Sequence, residues 1–165
     1  MRKWIVLAVL VLAIAPAVRA DGPAWRIGAG ANYWKTLDNL DGDFDDNGLS
    51  HLASFQFWPT LAGLQADVEF LPDLFGEDAI APAAYLLAGK TLYAAAGVGR
   101  IYRDGEWAAD PFFAFKAGLN LELAGFLFLD VSGSYRFNGE IDLGDAAEAI
   151  DADTVFLGAA LRLGF

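Results

Sequence analysis

The 165-residue chain has no cysteine, a single histidine and half as many basic as acidic residues. The missing cysteine excludes disulfides, thiol chemistry and a lipid anchor attached through cysteine. With 22 Asp and Glu against 11 Lys and Arg, nucleic acid is not expected as a partner. The mean hydropathy is nevertheless +0.36, so apolar and acidic residues must be segregated in the fold.

The N-terminus has the pattern of a cleavable secretory signal peptide. Arg2 and Lys3 precede the apolar run from Trp4 to Ala15, and Val18-Arg19-Ala20 provides a cleavage site that ends in a small residue. As a membrane anchor, the 15 residues from Trp4 to Val18 would be too short, because spanning a bilayer takes about 20. We predict that residues 1–20 are removed on export. Residues 21–165 then form one domain with 8 basic and 22 acidic residues, a formal charge of −14.

After residue 20 no uninterrupted apolar stretch is long enough for a transmembrane helix, and the recurring pattern is alternation. Apolar residues occupy one parity and mixed or charged residues occupy the other, which predicts β-strands, since a helix would place these charges all round its surface. The segments 82–89 and 91–102 are nearly all apolar, so the pattern leaves their facing open. The eight predicted strands are residues 24–37, 49–58, 61–71, 82–89, 91–102, 112–124, 126–138 and 154–165.

The number and spacing of these segments predict the architecture. Each has a length that lets a tilted strand cross the hydrocarbon layer, and short and long connections alternate along the chain. Short turns are expected on the periplasmic side with both termini, and long loops on the outside, at residues 38–48, 72–81, 103–111 and 138–153. We predict an all-β fold, an eight-stranded antiparallel transmembrane β-barrel with up-and-down meander order.

A soluble barrel would also alternate, but it would bury the apolar parity inside. Charge separates the two alternatives, because one parity carries four basic and four acidic residues while the other is almost uncharged. Balanced charges suit a closed interior where ions pair, since an unpaired buried charge costs several kcal/mol. Leu121 and Leu129 should therefore touch lipid, and Lys116 and Asp130 should meet inside, across their hairpin. The predicted lumen network is Arg26, Asp67, Glu69, Lys116, Glu122, Asp130, Arg136 and Arg162.

The last segment carries a resemblance to a known group. Its alternation ends in Leu161, Leu163 and a terminal Phe165, and it resembles the closing strand by which the assembly machinery recognises bacterial outer-membrane proteins. Residues 21–165 resemble the superfamily of small barrels that includes the transmembrane domain of outer-membrane protein A and the opacity-type surface proteins. The resemblance rests on architecture and the terminal Phe165. No peptidoglycan-binding domain follows the predicted barrel, so a tether to the cell wall is not expected.

The resemblance also implies a location and partners. It implies an integral protein of the cell outer membrane that contacts outer-membrane lipid and lipopolysaccharide and is inserted by the outer-membrane assembly machinery. A monomer is expected. The resemblance specifies location better than activity, because it does not rest on a unique motif.

The predicted loops hold 17 of the 22 acidic residues. One interpretation is solvation, with charged loops keeping the exposed rim from associating. The functional alternative is binding of divalent cations at the cell surface, with bridges to lipopolysaccharide phosphates. The segment Asp43–Gly48 fits the start of a calcium loop, with ligands expected from Asp43, Asp45 and Asn47. Its twelfth position is Ser54, which excludes an EF-hand, so a looser Ca²⁺ site in the first extracellular loop is the one cofactor hypothesis.

Lipid A-modifying enzymes occur among eight-stranded outer-membrane barrels, which makes the sole histidine a candidate. Ser-His hydrolysis needs both side chains on one face, but Ser50 and Ser54 share a parity and His51 has the other. The pattern of lipid A deacylases, with His and Ser two residues apart on one strand, fails because position 53 is alanine. No catalytic residue is predicted.

A narrow, porin-like passage is the stronger alternative. Eight strands leave an interior that side chains can fill, but the small residues Ala95, Gly97 and Gly99 would leave local voids. The leading hypothesis is a non-enzymatic outer-membrane barrel with a structural or surface-interaction role, exerted through its acidic extracellular loops.

Overall fold

A computed structural model describes residues 23–37, 47–74, 77–137, 140–141, 150–151 and 153–165. All regular structure in these ranges is β-strand. None of the described residues forms a helix that is long and apolar enough to cross a membrane. The predicted signal peptide, residues 1–20, lies outside the described ranges, and its removal stays a prediction.

The described ranges contain twelve strands, of which eight form the barrel. The barrel strands are β1 (Trp25–Thr36), β2 (Asn47–Phe57), β3 (Ala62–Leu74), β4 (Glu77–Gly89), β5 (Leu92–Gly99), β8 (Phe112–Ala124), β9 (Leu127–Phe137) and β12 (Thr154–Gly164). Two short pairs complete the set: β6 (Tyr102–Arg103) with β7 (Glu106–Trp107), and β10 (Glu140–Ile141) with β11 (Ile150–Asp151).

The barrel is closed because every barrel strand pairs with a neighbour on both sides. Successive strands pair antiparallel in meander order, and β1 closes on β12 from Arg26 opposite Gly164 to Thr36 opposite Thr154. The predicted eight-stranded antiparallel barrel is confirmed. Its two ends differ in their connections. We call the end with the short connections and both described termini the turn end, and the opposite end the loop end.

Alternation along the strands separates an inner from an outer wall. In β8, Phe113, Phe115 and Leu119 are exposed on the outside, while Lys116 and Asn120 are buried inside. Leu121 lies on the same outer face, with its partner Leu129 opposite. A wide band of exposed apolar side chains therefore covers the outer wall, as a lipid-facing surface requires.

The facing of β4 and β5, which the sequence left open, is settled by burial. Ala83, Tyr85 and Leu87 of β4 and Tyr93 and Ala95 of β5 are buried and point inward. Their neighbours in between are exposed or partly exposed. Both strands therefore obey the same alternation as the rest of the barrel.

The predicted long loop at residues 72–81 is wrong. Strand β3 continues to Leu74 and β4 begins at Glu77, and these two residues are partners after a register shift beyond Leu71. Leu71 and Leu74 are buried, as are Ala79 and Ala81. The strands extend because buried apolar side chains lie beyond the point where acidic residues suggested a loop.

The predicted loop at residues 103–111 contains a small hairpin. Strand β6 pairs with β4 and with β7, so the hairpin extends the barrel wall at the loop end. Asp104 and Gly105 turn the chain with φ of 46° and 85°, a left-handed conformation that Asp-Gly adopts in tight hairpins. The predicted strand 91–102 is interrupted after Gly99, where the Arg100 guanidinium donates to the carbonyl oxygens of Ala108 and Ala109.

Candidate functional site

Three ion pairs among the described residues lie inside the barrel. The Lys116 ammonium lies 2.8 Å from the Asp67 carboxylate, and Arg162 Nε lies 3.6 Å from Asp130 Oδ2. The third joins Arg136 to Glu69. The side chains in these pairs are at most 12% exposed. At such depth an ion pair is held by neighbouring hydrogen bonds as well as by charge, because desolvation offsets much of the Coulomb attraction.

Asp67 heads a chain of polar side chains that runs to the turn end. It accepts hydrogen bonds from Gln65 Nε2 at 2.7 and 2.8 Å, and Gln65 Oε1 accepts from Gln56 Nε2 at 2.7 Å. Gln56 Oε1 accepts from Trp58 Nε1 at 3.1 Å. Trp58 is buried beside the first short turn, so its indole forms part of the floor of the lumen.

Glu69 organises the half of the lumen nearer the loop end. Its carboxylate is fully buried and accepts hydrogen bonds from three donors: Asn32 Nδ2 at 2.5 Å, Ser50 Oγ and Arg136 Nη2. The Arg136 guanidinium also lies over the rings of Phe112 and Phe156, at 4.8 and 3.9 Å from their centroids. At that level of the lumen the guanidinium therefore packs against two aromatic rings.

Two members of the predicted network lie outside these pairs. Arg26 is buried, and its guanidinium lies 3.8 Å from the centroid of the Phe128 ring. Glu122 is exposed at the turn end, where the register with β9 shifts between Glu122 and Ala124. The structure therefore does not bring Glu122 into the buried network, because the strand leaves the regular ladder at that residue.

The expectation that Lys116 and Asp130 meet across their hairpin is wrong. The register of β8 and β9 places Lys116 opposite Ser134 and Asp130 opposite Asn120. Four residues along a strand correspond to roughly 13 Å. Lys116 instead reaches across the lumen to Asp67, and Asp130 pairs with Arg162 on the neighbouring strand β12.

The glycines proposed as voids are covered by aromatic rings. A Cβ added to Gly97 would collide with the ring of Tyr85, and one added to Gly99 would collide with the ring of Phe112. Inward glycines that lie under an aromatic ring let the ring pack flat against the barrel wall. The small residues of β5 therefore make room for side chains that fill the lumen and leave no void at these positions.

The residues weighed for hydrolysis do not meet. Ser50 is buried in the lumen and donates to Glu69, and Ser54 accepts a hydrogen bond from Arg162. His51 is exposed on the outer wall, opposite Ala31 and Phe70. A wall of backbone separates the imidazole from both hydroxyl groups, so no Ser-His pair forms here.

The predicted calcium ligands are only partly described. Asp43 and Asp45 lie outside the described residues, and Asn47 is the first residue of β2, opposite Lys35. Within the described ranges, no group of three or more His, Asp or Glu side chains could hold a metal ion. The calcium loop stays a prediction.

The predicted assembly signature lies on the closing strand. Leu161, Leu163 and Phe165 are exposed on the outer wall. Phe165 N donates to the carbonyl oxygen of Trp25 at 2.9 Å, so the final residue is hydrogen-bonded to the first barrel strand. Recognition of this segment by the assembly machinery stays a prediction.

Sequence reasoning missed the neutral side chains that hold the charges in place. On strands with clear alternation, parity could have identified them, since they share the inward parity of the charged residues, but it gave no facing for Tyr85 and Tyr93. A search for charged residues alone does not identify amides, hydroxyl groups and aromatic rings. The missed residues are Asn32, Ser50, Ser54, Gln56, Trp58, Gln65, Tyr85, Tyr93, Phe112 and Phe156.

Comparison with known proteins identifies the fold. No family model and no curated protein sequence matches the chain. The crystal structure of Neisserial surface protein A superposes with a TM-score of 0.66 at 13% identity, covering 86% of this chain and 97% of that one. The N-terminal β-barrel domain of Pseudomonas aeruginosa OprF gives 0.53 at 11% identity, covering 88% and 100%. The outer membrane protein AlkL, determined in lipid bilayers, gives 0.52 at 16%, covering 92% and 94%.

These similarities concern the fold, which is that of small bacterial outer-membrane barrels with eight strands. The apolar outer wall of this chain fits the same surroundings, because exposed large hydrophobic side chains occur on every barrel strand. The predicted resemblance in fold to small outer-membrane barrels is confirmed, and the predicted outer-membrane location accords with that fold and with the apolar outer wall. Activity does not follow from fold, since one fold hosts many functions.

Proposed function

We propose that this barrel is a non-enzymatic platform in the outer membrane whose acidic loop end binds cations at the cell surface. The observation that carries the proposal is the contrast between its two regions. The lumen is lined by buried side chains, and each of its three buried carboxylates among the described residues is paired to a cation. Most of the acidic residues instead lie in or beside the connections of the loop end.

The charge of the loop end supports a cationic partner. Its connections and strand ends hold 17 acidic residues, and three basic residues lie near them: Lys35, Arg100 and Arg103. Arg103 is paired with Glu77 at 2.6 Å, and Arg100 is hydrogen-bonded to backbone carbonyls. The net charge of this end is strongly negative, which raises the local concentration of cations.

Ca²⁺ is the cation that this chemistry favours. Carboxylate and carbonyl oxygens are its preferred ligands, and extracellular sites bind it with dissociation constants of about 0.1–1 mM. A divalent cation can also bridge a carboxylate of the protein to a phosphate of lipopolysaccharide. The function that follows is attachment of the loop end to its anionic surroundings, with Asp43, Asp45 and Asn47 as the first-loop ligands.

The experiment is a calcium titration of the mature protein, folded in phosphatidylcholine vesicles, by isothermal calorimetry. A variant with Asp41, Asp43, Asp45 and Asp46 changed to Asn should lose at least tenfold in Ca²⁺ affinity. The matched control removes four charges from the fourth loop, as E140Q, D142N, D145N and E148Q, and should change the affinity less than about threefold. Absence of saturable binding below 10 mM, or equal losses in both variants, would refute a first-loop site.

A further inference from the structure

The outer wall of the barrel contains a shallow hollow across strands β5, β8, β9 and β12. Its volume is about 510 Å³, within the range of about 300–1,000 Å³ that ligand pockets occupy. Ala117 and Gly133 are ladder partners and form its floor. Leu119 and Val131, also partners, bound it on the side of the turn end, and the end of the Leu157 side chain lies beside Gly133. None of the described residues that line the hollow carries a charge.

An aromatic cluster lies on the other side of the hollow, toward the loop end. Phe115 and Tyr135 are partners and are the next outward residues after the floor. The ring of Phe137 stacks on both, at centroid distances of 5.7 and 5.8 Å, and Phe113 lies 5.9 Å from Phe137. Aromatic side chains on the outer wall of a membrane barrel lie at the level of the lipid headgroups. The aromatic cluster therefore marks the interface above the hollow.

The depth of the hollow follows from the strand geometry. Gly133 is four residues from Phe137 on β9, which corresponds to roughly 13 Å along the strand. A strand tilt of about 40° reduces this to roughly 10 Å along the membrane normal. Since the hydrocarbon layer is about 30 Å thick, the floor of the hollow lies in the half of the layer next to the loop end.

This position restricts what occupies the hollow. Water and lipid headgroups do not reach this depth, and an empty hollow is costly because its lining atoms lose their dispersion contacts. Within a bilayer, close packing rather than the hydrophobic effect decides which apolar surfaces associate. A narrow concave floor between two rows of larger side chains fits a thin, flexible chain. A second barrel would present a convex wall, which fits such a floor less closely.

We propose that the hollow binds one acyl chain of a lipid from the outer leaflet. The headgroup lies at the loop end, and the chain descends past Phe115 and Tyr135 onto Ala117 and Gly133. Leu157 at the side, and the pair that bounds the hollow toward the turn end, hold the chain longer than the flat parts of the wall hold other lipids. This site is independent of the cation site proposed for the loops.

The test maps where lipid chains contact the mature protein. The protein is folded in phosphatidylcholine vesicles that contain a small fraction of phosphatidylcholine with a diazirine near the end of one chain. Irradiation links chains to the residues they contact, and mass spectrometry of peptides locates the adducts. The wild type should carry about tenfold more adducts per outward residue on β8 and β9 than on β3, which corresponds to a preference of about 1.4 kcal/mol.

Two variants fill the hollow from different strands, Ala117→Phe and Gly133→Leu. Both add apolar atoms to the outer wall, and the nearest atom to a Cβ on Gly133 is the flexible end of Leu157, so both should fold. Adducts are counted on the unchanged strand, β9 for Ala117→Phe and β8 for Gly133→Leu, and should fall about tenfold, to the level of β3. The control Ala66→Phe makes the same change on the outer wall of β3, opposite Phe55, and should leave these adducts unchanged.

Three results would overturn the proposal. Equal adduct densities on β3, β8 and β9 of the wild type would show ordinary lipid contact only. Unchanged adducts in both filling variants would place the bound chain elsewhere. Native mass spectrometry of a wild-type dimer that Ala117→Phe dissociates, together with an unlabelled hollow, would assign the hollow to a second copy of the chain.

Discussion

Glu69→Leu is expected to destabilise the folded barrel by about 3–5 kcal/mol, the typical result of removing one partner from a buried ion pair. The substitution strands the Arg136 guanidinium in a region where it is 12% exposed. It also removes the acceptor used by Asn32 and Ser50. Urea unfolding in detergent micelles measures the loss.

Two variants control this experiment. The double variant Glu69→Leu/Arg136→Leu should recover most of the loss, because it leaves no buried charge unpaired and adds apolar contact. Glu77→Leu breaks the ion pair of Arg103 at the loop end, where the carboxylate is 49% exposed, and should cost about 0–1 kcal/mol. If Glu69→Leu proves as mild as Glu77→Leu, Glu69 is hydrated in the folded protein and the lumen is open to water.

Leu119→Arg should destabilise the barrel by about 2–4 kcal/mol, because it places a charge on the lipid-facing wall near the middle of the bilayer. Leu119 is exposed on the outside of β8, midway between the aromatic residues of the loop end and the first residues of β9. Its neighbours Val131 and Leu92 are also apolar, so the introduced guanidinium finds no partner. Unfolding titrations in lipid vesicles measure the effect.

Leu49→Arg is the matched control, since it has the same chemistry at a different depth. Leu49 is exposed on the outer wall near the start of β2, opposite Tyr33. At this level a long side chain reaches the headgroups, and the cost falls to about 0–1 kcal/mol. Equal costs at the two positions would show that the outer wall does not face a bilayer, and the soluble-barrel alternative would return.

The barrel itself could be predicted because one rule governs most of its residues. Alternation is strict where one wall faces lipid and the other carries charge, as in β8, and there the sequence identifies both the strand and its facing. The rule gives no facing where both parities are apolar. In β4, for example, Tyr85 and Leu87 lie on one parity, and Leu86 and Ala88 lie on the other. Burial in the structure was needed to orient those strands.

Register and strand ends could not be predicted, because they depend on pairs of strands. Acidic residues suggested a loop at 72–81, whereas β3 and β4 continue through Leu74 and Glu77, where apolar side chains such as Leu71 and Ala79 are buried. Charge alone suggested that Lys116 and Asp130 pair, but ladder register separates them. The sequence placed most of these charges in the interior correctly, but it did not identify their partners.

The filling of the lumen was the least predictable feature of the candidate site. Glycine and alanine on β5 suggested space, and the rings that occupy it come from neighbouring strands, Tyr85 on β4 and Phe112 on β8. Which ring covers which glycine follows from register, so sequence could show the small residues but not what packs on them.

The central claim is that the lumen is closed by paired charges and aromatic rings, so that the barrel serves as a platform for its loop end. Planar-bilayer recording on the refolded mature protein tests this most directly, with a large porin under the same conditions as the positive control. We expect no reproducible single-channel steps in 1 M KCl, because eight strands enclose an interior that side chains can fill. Reproducible unitary steps that require the folded protein would contradict the claim and identify the barrel as a passage.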